Sequence, residues 1–222
     1  MKRFKSIIAL ICCFLVLTGF TTIPNRISTN GEDTGVLREI TFEQMVAEIA
    51  DLNNLSREIV ESQMKRSIAD KLMSSSLTTS NLKVQVEDYI ASSTYWSKRQ
   101  QFTVTSEYKP SLVFYYEGYP GDRLGYIKTL LNVSMDRSYY NGFSTITKQF
   151  GGNVYVNLEA SDRLYFEVNG DFYNNGTTTT NGGLKIDIGG FGSVSFGASH
   201  TSNHFKYIYT TGYYRVYNFG DI

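Results

Sequence analysis

Residues Asn153 to Tyr173 read NVYVNLEASDRLYFEVNGDFY, and the alternation in this stretch decides the fold. Val154, Val156 and Leu158 alternate with Tyr155, Asn157 and Glu159, and Leu164, Phe166 and Val168 alternate with Tyr165, Glu167 and Asn169. Side chains leave a strand to opposite faces with a period of two, so each segment predicts a strand with one buried face. Ala160-Ser161-Asp162 supplies turn chemistry between them. Asn169–Gly170 predicts a second, tight turn, because both central residues of such a hairpin need positive φ. The stretch therefore predicts two strands and the start of a third.

The same alternation extends in both directions. Upstream it is opened by Leu82, Val84 and Val86, in a stretch to Ala91 that also reads as a helix, and continued by Phe102, Val104 and Tyr108, by 112–117 after Pro110, by 124–133 after the turn at 118–122, and by 143–150 after Asn141–Gly142. Downstream, Asn175–Gly176 and Asn181–Gly182 punctuate the chain. Then come 184–188, a Gly189–Gly190 turn, 194–198, 205–210, a turn at Gly212 and 213–219. Short strands at this spacing, with no helical segment between them, predict a mainly β domain over 82–222. Its expected form is an antiparallel β-sandwich or flattened barrel of about ten strands.

Residues 41–73 predict a helical hairpin. Thr41 and Gln44 form a capping box ahead of Phe42, Met45, Val46, Ile49 and Leu52; Asn53–Asn54 interrupts, and Ser56 caps a second helix through Ile59, Val60, Met64, Ile68 and Leu72. A Ser/Thr linker over 74–81 marks the expected domain boundary. At the N-terminus Lys2, Arg3 and Lys5 precede the apolar run 7–20, the order of a secretory signal peptide over 1–22, which is shorter than the ~20 apolar residues of a membrane span. Residues 23–40 read as a flexible leader. Cys12 and Cys13, the only cysteines, leave with the signal, so the mature chain is expected to be exported, free of disulfides and stable by its core alone.

Lys+Arg and Asp+Glu are both 21, a balance that lacks the basic excess nucleic acid requires. No catalytic or metal constellation forms in the sequence. His200 and His204, the two histidines, would stand ~13 Å apart on a strand at ~3.3 Å per residue, too far to share one metal. Ser199, His200 and Asp187 have nothing to position them as a triad. Glu159 with Asp162, and Glu167 with Asp171, read as turn or solvent-facing residues. The expectation is a protein without enzymatic activity, metal or cofactor.

Tyrosine is the compositional signal, 17 residues beside 14 Phe. In the last strand Tyr213, Arg215 and Tyr217 fall on one face and Tyr214 and Val216 on the other. Tyrosine and arginine together are the residue mixture of binding surfaces. The sequence thus predicts a secreted or cell-surface protein whose β domain binds a glycan or cell-wall polymer, or a protein partner, through Tyr213, Arg215 and Tyr217. The alternative is a membrane-active toxin with an inserting hairpin around 177–202. No pattern in the sequence specifies an oligomeric state.

Overall fold

A computed structural model of the chain describes residues 37–75, 81–122, 124–180, 186–187 and 189–216. The expected signal peptide, most of the leader, most of the Ser/Thr linker, the Asn181–Gly182 turn and Tyr217 lie outside the described residues. The fold is mainly β, with antiparallel sheets and three helices.

The chain opens with strand β1 (Leu37–Ile40), where the sequence predicts the end of a leader. Helix α1 (Phe42–Asn53) follows with the predicted capping box in place: the Gln44 amide donates to Thr41 Oγ1 at 3.1 Å and the Thr41 amide to Gln44 Oε1 at 2.9 Å. The left-handed Asn54 closes it. Helix α2 spans Arg57–Ser75. A third helix, α3 (Leu82–Ser92), stands over the stretch that the sequence leaves open between a first alternating strand and a helix. Strand geometry would put Leu82, Val84 and Val86 on one face. The helix buries Val86 and leaves Val84 57% exposed, and its inward spacing continues to Tyr89 and Ile90, which pack on the same cluster.

Strands β2 (Tyr95–Gln101), β3 (Ser111–Gly118), β4 (Ile127–Asp136) and β9 (Ile186–Asp187) join β1 in an antiparallel sheet of order β1-β2-β3-β4-β9. A small hairpin of β5 (Ser138–Tyr140) and β6 (Thr145–Thr147) turns at Asn141–Gly142 as predicted, with Asn141 Oδ1 accepting from the Phe143 and Ser144 amides at 3.0 Å. The remaining strands are long: β7 (Gln149–Ala160), β8 (Arg163–Thr180) and β10 (Phe191–Arg215).

β3 sits at the centre and is apolar on both faces. Leu112, Phe114 and Tyr116 enter one core, shared with Val154, Val156, Leu158, Leu164, Phe166 and Tyr214 of the long strands. Val113 and Tyr115 enter a second, shared with Met45, Ile49, Val60, Ile68 and Val86 of the three helices. Each such large side chain taken fully out of water contributes about 1.5–3 kcal/mol. Buried hydroxyls at the first core are paired: Tyr116 Oη meets Tyr214 Oη at 3.0 Å and donates to the Gly125 carbonyl at 2.9 Å.

The long strands pair in a cycle, β7 with β8, β8 with β10 and β10 with β7, every pair antiparallel. Three strands in a ring cannot all be mutually antiparallel unless the chain direction reverses within the ring, and β10 reverses with β8 bending beside it. Its first part, Phe191 to Phe196, lies along the outer edge of β7; from Phe196 to Arg215 it lies along β8. This β8–β10 ribbon bends near its register shifts, where His200 and Asn203 take left-handed φ of 51° and 57° and Gly176 of β8 a φ of 118°. The result is a four-row antiparallel sheet whose two edges belong to one strand, and no closed barrel forms among the described residues. That corrects the flattened-barrel expectation.

Three predicted turns are strand interior. Asn169–Gly170 and Asn175–Gly176 lie inside β8, and Gly212 lies inside β10. Glycine is required at 170 by close approach rather than by a turn: a Cβ there would lie 2.4 Å from the Gly151 carbonyl oxygen and 2.8 Å from the Gly152 Cα, beneath the Phe150 ring. At Gly212 it would meet the Phe166 ring at 2.5 Å. The substitution Gly170→Ala is expected to lower stability by about 1–3 kcal/mol, because backbone rather than a flexible side chain must move. Urea unfolding midpoints of the two proteins check it, and an unchanged midpoint would contradict the close β7–β8 approach.

Candidate functional site

Two places in the fold gather chemistry. The first is the outer face of the sheet formed by the long strands. On β7, Tyr155 and Asn157 point away from the core while Val154, Val156 and Leu158 point in; on β8, Tyr165, Glu167 and Asn169 point away while Leu164, Phe166 and Val168 point in. β10 adds Phe191 at one edge and Tyr207, Tyr209 and Tyr213 at the other. These four are 71%, 52%, 57% and 51% exposed.

Register converts these positions into a continuous line. Asn157 pairs with both Phe191 and Tyr165, and Tyr165 with Tyr213. Ring centroids are 6.1 Å apart from Phe191 to Tyr155, 6.3 Å from Tyr155 to Tyr165 and 5.4 Å from Tyr165 to Tyr213, with interplanar angles of 34°, 64° and 61°. The guanidinium of Arg215 lies 5.9 Å from the Tyr213 centroid. Polar side chains flank the rings: Tyr209 Oη donates to Glu167 Oε2 at 3.0 Å, Tyr207 Oη to Asn169 Oδ1 at 3.0 Å, and Ser195 Oγ to Asn153 Oδ1 at 2.7 Å. Of the residues singled out in the last strand, Tyr213 and Arg215 are exposed on this face and Tyr214 is buried behind it. Reading that strand alone missed Phe191, Tyr155, Tyr165, Tyr207 and Tyr209, yet Tyr155 and Tyr165 are the outward positions of the alternating stretch itself.

The second place lies on the opposite side of the five-stranded sheet, under the helices. The carboxylate of Glu117, at the end of β3, has a side chain only 3% exposed. Lys128 Nζ donates to its Oε1 at 2.5 Å, Tyr89 Oη to its Oε2 at 2.5 Å, and Lys71 Nζ lies 3.4 Å from Oε2 while donating to Tyr89 Oη at 2.8 Å. Burial pushes the Glu117 pKa up, but the hydrogen bonds from Lys128 and Tyr89 and the charge of Lys71 outweigh it, leaving the carboxyl below its usual value and ionised. The Tyr89 hydroxyl is pushed well up by burial and by this carboxylate, so it stays a donor.

Two extra residues in β4 build this arrangement. The β3–β4 register shifts between Tyr115 and Tyr116 and again between Glu117 and Gly118, leaving Leu131 and Lys128 without an opposite residue. A bulge re-aims the side chain it carries, and Lys128 reaches the face of Glu117 in this way. A cavity of about 150 Å³ adjoins the carboxylate, lined by Val60, Met64, Ile68 and Lys71 of α2, by Tyr89 and Tyr95, and by Leu131 and Asn132 at the bulge. A buried chain runs beneath it, Asn53 Nδ2 to Ser134 Oγ at 3.0 Å and Ser134 Oγ to Asn132 Oδ1 at 2.8 Å. The signal for this site was the run Leu112-Val-Phe-Tyr-Tyr116, which has no polar alternation and is followed directly by the charge of Glu117.

Other sequence candidates are dispersed. His204 Nε2 sits 2.8 Å from Asp171 Oδ1 on exposed strand surface, and His200 occupies the β10 bend. Glu159 pairs with Arg163 at 2.7 Å across the β7–β8 turn. Asp187 Oδ1 accepts from Thr129 Oγ1 at 2.8 Å. No group of three His, Cys, Asp or Glu side chains with metal-ligand geometry occurs among the described residues. Comparison with protein-family models, with curated proteins and with solved structures finds no match.

Because the Glu117 pKa is lowered on folding, its contribution is present at neutral pH and lost as pH falls through the folded value. Between about pH 6 and pH 3 the wild type is expected to lose stability that a Glu117→Gln variant does not lose. At pH 7 the variant is expected to be less stable by about 3 kcal/mol, the low end for a broken buried pair because both lysines reach solvent. Unfolding midpoints measured across that pH range check both statements. Parallel pH profiles for the two proteins would contradict them.

Proposed function

We propose that this chain is an exported, non-enzymatic β-sandwich that binds a polysaccharide of the cell surface on the outer face of its long-stranded sheet. One observation carries the reading: Phe191, Tyr155, Tyr165 and Tyr213 form an unbroken line of rings across the sheet, with three amides and a carboxylate from Asn153, Asn157, Asn169 and Glu167 beside it. The CH faces of a sugar ring pack on aromatic rings as other apolar surfaces do, and its hydroxyls accept from amide N–H groups and donate to amide and carboxylate oxygens. A line of rings suits an extended chain better than a single residue. Exposed aromatic surface with a polar rim is also uncommon without a partner.

The sandwich reading rests on the apolar core that the two sheets share. The membrane-active reading is less well supported. Along the bent arm of β8 and β10 the exposed side chains are Asn174, Asn175, Thr177, Thr179, Ser199, His200, Thr201, Ser202, Asn203 and His204, all polar, and Thr177 Oγ1 bonds Ser199 Oγ at 2.6 Å. A strand facing lipid carries apolar side chains at every second position.

The experiment is binding of the mature protein to a panel of insoluble and soluble polysaccharides including peptidoglycan. Tyr165→Ala and Tyr213→Ala are each expected to weaken binding by about five- to tenfold, the worth of one lost ring contact, with unfolding midpoints close to wild type. Absence of binding across the panel, or binding indifferent to both substitutions, would refute the reading.

A further inference from the structure

We infer that the cavity under the helices is a binding site for a small amphipathic carboxylic acid, with the apolar part among Val60, Met64 and Ile68 and the carboxylate at Lys71 and Tyr95. This site is independent of the aromatic face and lies on the other side of the central sheet.

Three observations lead there. The first is an unmatched donor. Tyr95 lines the cavity and is 3% exposed, and its hydroxyl makes no hydrogen bond of good geometry among the described residues. A buried hydroxyl without a partner costs about 1–3 kcal/mol; this one has no surface open to the cavity, and a small movement of the ring that brought it to a ligand oxygen would recover the cost. Burial holds this hydroxyl protonated; Ser93, close by, offsets part of that, and the charge of Glu117 adds to it. It is thus available to donate.

The second is charge. Two ammonium groups converge on one carboxylate. Lys128 and Tyr89 occupy the two oxygens of Glu117 at 2.5 Å each, while Lys71 approaches only to 3.4 Å. Among the described residues Glu117 is the one acidic side chain in the cavity wall and Lys71 the one basic side chain, so with Lys128 also paired to Glu117 two ammonium groups share one carboxylate and the site carries a net positive charge. An anion restores the balance; a cation would add to the excess.

The third is shape. Away from these groups the apolar part of the wall includes Val60, Met64, Ile68 and Leu131, beside polar side chains such as Gln63 and Ser67, and a cavity of about 150 Å³ is of the size that holds one benzene-like ring. An aromatic or branched acid of that size matches an apolar body to those α2 and β4 side chains and a charged end to Lys71. The β4 bulge at Leu131 and Asn132 opens the sheet side of the same cavity.

Phenylacetate is the probe, with toluene and phenylethylamine as its neutral and cationic counterparts, each titrated by calorimetry into the full mature protein and followed by methyl NMR at Met64 and Ile68. Phenylacetate is expected to bind saturably with Kd below about 1 mM, and the other two at least about tenfold more weakly. Lys71→Met, which keeps the aliphatic stem, is expected to weaken phenylacetate by about tenfold or more without equalising its unfolding midpoint to that of Glu117→Gln. Ser67→Phe, which fills the cavity from α2, is expected to abolish binding in a protein whose midpoint is unchanged or raised. Failure of phenylacetate to bind the wild type, toluene binding as tightly, or phenylacetate binding retained in either folded variant would overturn the inference.

Discussion

A strand that is apolar on both faces must be covered twice, and β3 imposes that requirement on everything around it. Leu112, Phe114 and Tyr116 need a layer on one side and Val113 and Tyr115 on the other, and all five are 1% exposed or less. The long strands supply the first cover and the helices the second. Each cover then has a free outer side or an internal gap, and those are the two places where chemistry gathers. The aromatic line is the solvent side of the first cover. The cavity is the place where the second meets the charged end of the strand it protects.

Glu117 shows why that end is delicate. It continues the inward row of Val113 and Tyr115, so the alternation of β3 carries a carboxylate under the helices whether or not the interior suits it. A lone buried carboxylate is strongly disfavoured, and three partners drawn from α2, α3 and β4 answer it. The same contacts tie the helices to the sheet by direction and not only by burial. An ionic knot of this kind specifies where α2 and α3 sit more sharply than an apolar patch would.

Much of this was legible in the residues. The capping box at Thr41 and Gln44, the one-sided alternation of 154–158 and 164–168, and the exposed position of Tyr213 and Arg215 all follow from local periodicity, and local periodicity survives folding. Turn chemistry did not survive as well. Asn169–Gly170 and Gly212 have the residues of a turn, but their glycines answer to the backbone of β7 and to the Phe166 ring, which are contacts between segments remote in sequence. Leu82, Val84 and Val86 alternate over too few residues to separate strand from helix, and Val86 with Tyr89 and Ile90 settles it as helix. The cavity was invisible for the same kind of reason: its wall is assembled from α1, α2, α3, β2, β3, β4 and the end of β8, and the bulge that aims Lys128 exists only in the pairing of two strands.

If β3 holds both covers, they must unfold together. Trp96, the single tryptophan, is 6% exposed in the core between the sheets, so its fluorescence follows the first cover, while far-ultraviolet circular dichroism at the helical minimum follows the second. Urea unfolding recorded by both signals on one sample is predicted to give superimposable transitions with a single midpoint. A helical signal lost at clearly lower urea than the Trp96 signal would mean that Val113 and Tyr115 can stand uncovered, and would contradict the account.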